Sequence, residues 1–242
     1  MLRSVSVFSV LVLMMASYAQ NLDEIITKCL EVAGQGKLDK VESLTIKAII
    51  LQGGLEIPMV IYQKRPLKYR TETTIQGMTM LQVYDGNQGY MINPFMNTKG
   101  PLAMESEQLE QMKDQAEIDN ILMTYKNRNY ALEYAGTEDL EGMRAYILKL
   151  TKPNKSVSKI YIDPENYVVI KTVDNLIIQG VEKEIESYPS NYKYVDGVLF
   201  PFKYEQKIGG QIFMQINFES FELNTNPPDS LFIVPAMDMQ KP

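Results

Sequence analysis

The 242-residue sequence has no histidine, no tryptophan and one cysteine. Without histidine, a Ser-His-Asp triad, a Cys-His pair, a His-containing zinc site and a histidine general base are all excluded. Cys29 on its own cannot close an internal disulfide, so the fold depends on its apolar core. Positive charge is also scarce: 24 Lys and Arg stand against 30 Asp and Glu, a net charge of −6. A nucleic-acid binder needs a basic footprint to displace counterions, and this balance argues against one. No Walker loop, G-x-S-x-G elbow or dinucleotide fingerprint occurs, and Gly34-Gln35-Gly36 reads as a helix end. Glu182, Glu184 and Glu186 have the spacing of a solvated strand face, and Asp163 and Glu165 flank Pro164 in a turn. The reading is a protein with no enzyme activity, no metal and no cofactor.

The first nineteen residues read as a cleaved signal peptide. Arg3 supplies a positive start, Val5 to Met15 is an apolar run, and Ser17-Tyr18-Ala19 places small residues before a cut at Gln20. The run is too short to cross a hydrocarbon core about 30 Å thick. Cys29 lies outside any lipid-attachment context, so residues 20–242 are expected as one exported, unanchored domain. No linker rich in Ser, Gly or Pro divides them.

Within that domain the periodicity predicts one helix, then strands, a helical insert, and strands again. Asn21 or Asp23 is expected to cap a helix with Ile25, Ile26, Cys29, Leu30 and Ala33 on its apolar face, ended by Gly34 or Gly36. From Ser43 the period becomes two, and Gly53-Gly54 turns one strand into the next. Strands are expected at Lys68 to Gln76, Met78 to Tyr84 and Tyr90 to Ile92. From Glu105 to Tyr125 the alternation stops. Leu109, Met112, Ala116 and Ile121-Leu122 recur at helical spacing, with a break near Asp119. Later strands are expected at Tyr130 to Tyr134, Ala145 to Leu150, Ser158 to Ile162 and Val168 to Val173, then over the Glu182–Glu186 stretch. The Phe200–Ile208 and Ile212–Phe218 alternations follow, joined by Gly209-Gly210.

Ten to twelve antiparallel strands with one apolar face must curl or be covered. The fold class is therefore mainly β (α+β), a curved antiparallel sheet with helices as its cover. The space between sheet and helices is either packed core or apolar cavity, and the pattern does not separate these. Met59, Met78, Met80, Met91, Met96, Met104, Met112 and Met123 crowd the stretch from Ile57 to Tyr125. Methionine suits both a core and a surface that fits varied apolar shapes.

Lys64-Arg65-Pro66, then Asp85-Gly86, then Asn93-Pro94-Phe95, resembles the LolA-type periplasmic carriers of outer-membrane lipoproteins. Tyr161-Ile162-Asp163, and Asp196-Gly197-Val198 followed by Pro201, are similar to the later strands of outer-membrane lipoprotein-sorting proteins. The resemblance implies an incomplete LolA-like half-barrel that binds acyl chains of lipids or lipoproteins under a helical lid. It also implies a periplasmic location, an inner-membrane donor complex and an outer-membrane acceptor. Arg65 would latch the lid through lid backbone, and Tyr69 would lie near the mouth. Tyr90 stands where the carriers have Trp. The ligand lining this implies is Met59, Met78, Met80, Tyr90, Met91 and Phe95, with Leu109 and Met112 from the lid. The competing reading is an envelope scaffold that binds a partner polypeptide through a sheet edge, without lipid.

Overall fold

The computed structural model describes residues 21–96, 100–178 and 181–233; the expected signal peptide lies outside them. A single antiparallel sheet carries the chain. Its first half comprises β1 (Ser43–Gln52), β2 (Leu55–Lys64), β3 (Lys68–Ile75), β4 (Met78–Tyr84), β5 (Gly89–Ile92) and β6 (Leu102–Ala103). Its second half comprises β7 (Ala131–Leu140), β8 (Met143–Thr151), β9 (Val157–Ile162) and β10 (Val169–Ile178). The long strands β11 (Val181–Val195), β12 (Val198–Ile208) and β13 (Gln211–Leu223) complete it.

The thirteen strands run in the order β6-β5-β4-β3-β2-β1-β13-β12-β11-β10-β9-β8-β7. Pairing of β1 with β13 joins the two halves, while β6 and β7 remain as the two edges, so the barrel is incomplete as expected. The expected strand number fell short. β6 has only two residues, too few for any alternation to register. β7 runs on through Gly136 (φ 95) by means of a bulge after Tyr134, where the sequence pattern stops.

The α-helices lie on one face, here called the inner face, while a 3-10 turn at Asp229–Phe232 is held on the other by Lys64, Lys68 and Arg70. Helix α1 (21–33) places Ile25, Ile26 and Cys29 against Leu132, Leu148, Leu150, Ile160 and Ile162. Neither Asn21 nor Asp23 is its cap, because both lie within helical turns; Asp23 accepts at its carbonyl from the Thr27 hydroxyl one turn on. Gly34 ends α1 with φ 73, as the sequence suggests. The fit there is close: a Cβ on Gly34 would come 2.1 Å from the Gly197 carbonyl oxygen in the β11–β12 turn. The short helix α2 (Gln35–Leu38) then leads into β1.

The insert forms α3 (Ser106–Ala116), an extended stretch 117–120, and α4 (Ile121–Thr124). A capping box between Glu105 and Gln108 starts α3, satisfying free amides of the first turn from both sides. The break falls where the sequence places it, and Asn120 caps α4 by accepting from the Leu122 amide.

Candidate functional site

Strand register fixes which side chains share the inner face. Leu44, Ile46, Ala48 and Ile50 on β1 face the helices, opposite Gln63, Ile61, Met59 and Ile57 on β2. The row continues through Thr73 opposite Met59, Met80 opposite Thr73, and Met78 opposite Ile75. Across β13, Phe218 lies opposite Ala48 and Ile216 opposite Ile50.

The helices cover only part of this face. Toward the end bearing the β2–β3 turn, α3 rests on Tyr69, Tyr84 and Met104 through Met112 and Ala116, with Leu109 and Met91 packed around them. Tyr69 is only 6% exposed, so it lies under the lid rather than at a mouth. Burial raises the pKa of its phenol above the ordinary value. Contact is tight at Gly89, where an added Cβ would meet Leu109 Cδ2 and Met104 Sδ at 2.8 Å.

Toward the opposite end, at the Gly53-Gly54, Gln76-Gly77 and Gly209-Gly210 turns, no helix among the described residues covers the face. Ile50, Met59, Ile75, Met80, Met214 and Ile216 are partly open there, and Met78 is 40% exposed. A depression of about 350 Å³ also lies at this end, but mostly on the other face, where Leu51 lies opposite Glu56 and Gln215 and Ile212 opposite Lys207.

The lid is held by polar contacts at three places. Arg65 extends its guanidinium from the β2–β3 turn to both carboxylate oxygens of Asp119 at 2.6 Å. Its Nε donates to the Val41 carbonyl at 2.7 Å and its Nη2 to that of Leu38 at 3.3 Å. The Asp119 bond holds the Arg65 pKa above its ordinary value, and partial burial opposes this. Arg65 thus grips a lid side chain plus backbone at the end of α2 and in the link from α2 to β1. The bond to lid backbone comes instead from Gln63, whose Nε2 donates to the Gln115 carbonyl at 2.6 Å. At the third place Asp114 accepts from Arg128, Tyr130 and Lys152, tying the end of α3 to the second half of the sheet.

The residues singled out from sequence therefore fall into separate groups. Tyr69, Met91, Leu109 and Met112 meet under α3, while Met59, Met78 and Met80 line the uncovered stretch of the same face. Tyr90 belongs to the other face: it lies opposite Val83, and its hydroxyl donates to Gln88 at 2.5 Å. Phe95 is exposed in a turn where its amide donates to Asn93. Sequence reasoning missed Asp119, Gln63 and Asp114. A lone Asp in a helix break was the only available sign of the first.

No known family pattern and no curated protein matches the sequence. Solved structures do match it in fold. A DUF1329 family protein from Desulfovibrio piger superposes with a TM-score of 0.59 at 13% identity, covering 88% of this chain and 97% of that one. A LolA superfamily protein from Nitrosomonas europaea gives 0.56 at 12% identity, covering 83% and 97%. A domain from Vibrio parahaemolyticus, named for outer-membrane lipoprotein sorting, gives 0.54 at 14% identity, covering 86% and 97%. The fold is LolA-like, in agreement with the sequence resemblance.

Proposed function

We propose that this chain is a non-enzymatic periplasmic carrier that shelters acyl chains of lipids or lipoproteins against its inner face. It would take them from an inner-membrane donor and deliver them to an outer-membrane acceptor. The observation that carries this reading is the uncovered apolar row formed by Ile50, Met59, Ile75, Met78, Met80, Met214 and Ile216 beside a helical lid. The name of one structural neighbour, in outer-membrane lipoprotein sorting, supports it.

The energies allow such a mechanism. Each buried methylene gains about 0.8 kcal/mol, so a chain of fourteen gains about 11 kcal/mol. A charge-assisted hydrogen bond such as those from Arg65 contributes about 1.5–3 kcal/mol. Acyl burial can then displace the lid, and Arg65 with Asp119 favours reclosure after release.

A polypeptide scaffold would instead use an edge strand. The edge β7 carries Glu133, Glu138 and Asp139 and bends at Gly136, devices that discourage pairing with another strand. Lipid is therefore the preferred cargo. Native mass spectrometry of the protein purified from an envelope fraction tests the choice: co-purifying acyl species support the carrier, and a bound polypeptide alone overturns it.

A further inference from the structure

The inner face is not apolar throughout. On β9 to β12, six polar side chains share it. Asp174 lies opposite Ser158 on one side and Ile185 on the other. In the next row Thr172 lies opposite Ile160 and Ser187, and Ser187 opposite Gln206. Tyr204 lies opposite Ile216, which belongs to the open apolar row. Ile160 packs under α1, which places the group on the helix side of the sheet.

These side chains bond to one another. The Ser158 hydroxyl donates to one Asp174 oxygen, and the Thr172 hydroxyl to the other at 3.4 Å. The Gln206 amide donates to the Ser187 hydroxyl at 3.2 Å, and Ser187 is only 2% exposed. The Tyr204 phenol, its pKa raised by burial, lies near Ser187 and Thr172.

Two properties point to a ligand. First, the group carries a negative charge with no cation on it: among the described residues no Lys or Arg forms an ion pair with Asp174. Lys171, paired with Glu186, and Lys159, opposite Val173, belong to the other face, and Lys183, which shares the inner face beyond Ile185, is exposed and forms no ion pair with Asp174. Second, acceptors exceed donors. The hydroxyl protons of Ser158 and Thr172 already point at Asp174, which as a carboxylate can take further bonds. A half-buried carboxylate beside apolar surface is completed by a cationic or N–H-bearing partner.

We propose that Asp174, with Ser158, Thr172, Ser187, Tyr204 and Gln206, forms a polar subsite that receives an ammonium group of an amphiphile whose tail lies along Ile216 and Met214. This inference rests on the carrier reading and narrows its cargo to amphiphiles with a positively charged head.

Displacement of a fluorescent apolar probe by three ten-carbon ligands tests it: decylammonium, decanol and decanoate, in 0.15 M salt. The wild-type protein is expected to bind decylammonium about tenfold tighter than decanol, and decanoate weakest. Asp174→Asn keeps the shape and the acceptor for Ser158, and is expected to abolish the preference for decylammonium over decanol. Glu186→Gln removes a charge from the other face and is expected to leave that ratio as it is. Equal binding of decylammonium and decanol by the wild type overturns the subsite, with no variant needed. So does a preference that survives Asp174→Asn. Failure of all three ligands to displace the probe removes the carrier reading, and this inference with it.

Discussion

Arg65 and Asp119 meet through two bonds of 2.6 Å that join the β2–β3 turn to the break between α3 and α4. Both side chains are 21% exposed, so the pair is sheltered from full solvent screening. The remaining guanidinium bonds go to the Val41 and Leu38 carbonyls. One side chain therefore fixes three segments that are distant in sequence.

The first expectation concerns this pair. In a double-mutant cycle of Arg65→Leu and Asp119→Asn, urea unfolding should return a coupling of about 1.5–3 kcal/mol. If the lid must swing for cargo to enter, Arg65→Leu should also speed probe uptake and release in stopped-flow mixing. Additive single effects would show that the two residues do not act as a unit.

The second concerns the open apolar row. Met59 and Met80 lie one residue pair apart across Thr73, and neither is fully buried. Met59→Asp and Met80→Asp place an uncompensated charge where an acyl chain would lie. Each should weaken apolar-probe binding at least about tenfold, since a charge desolvated by ligand costs well over 1.4 kcal/mol. Thr79→Asp, on an exposed position of β4, is the comparison. Equal effects at positions 79 and 80 would remove this face from the binding surface.

The difference between what could and could not be read from the sequence follows from range. Alternation in β1, β12 and β13 was visible because mostly apolar side chains take the inner face and mostly polar ones the outer. The lid helix was visible because Leu109, Met112 and Ala116 repeat on one side. Register was not visible, and register decides function here. It decides that Met91 rather than Tyr90 shares the face of Gln82 and Tyr84, and it gathers Asp174, Thr172 and Ser187 from two neighbouring strands. The partner of Arg65 was hidden for the same reason: 54 positions separate it from Asp119. Only the fold brings them together.

The third expectation concerns Gly34. Its φ of 73 favours glycine, and an added Cβ would come 2.1 Å from the Gly197 carbonyl, which is backbone and cannot rotate aside. Gly34→Ala should destabilise by at least about 2 kcal/mol, combining left-handed strain with the clash. Gly36→Ala is the contrast. A Cβ there meets nothing within 4 Å, and in α2 alanine favours helix, so stability should hold or rise slightly in thermal melts.

The last expectation is a pH dependence from Cys29. The thiol is buried among Ile25, Ile26, Leu132 and Leu148, and burial pushes its pKa up from 9.0 to about 12. Between these values the unfolded thiol has lost its proton while the folded one keeps it. The unfolded state then binds fewer protons, so stability falls as pH rises. This contribution is fully present below about pH 9 and is lost toward pH 12, at up to about 1.4 kcal/mol per pH unit. Buried phenols such as Tyr69 act in the same direction, so the wild-type slope alone is not diagnostic. Urea unfolding of wild type and Cys29→Ala at pH 8, 9.5 and 10.5 isolates the thiol: the curves should draw together as pH rises. A constant gap between them would mean that the Cys29 thiol is not held protonated by the α1 interface.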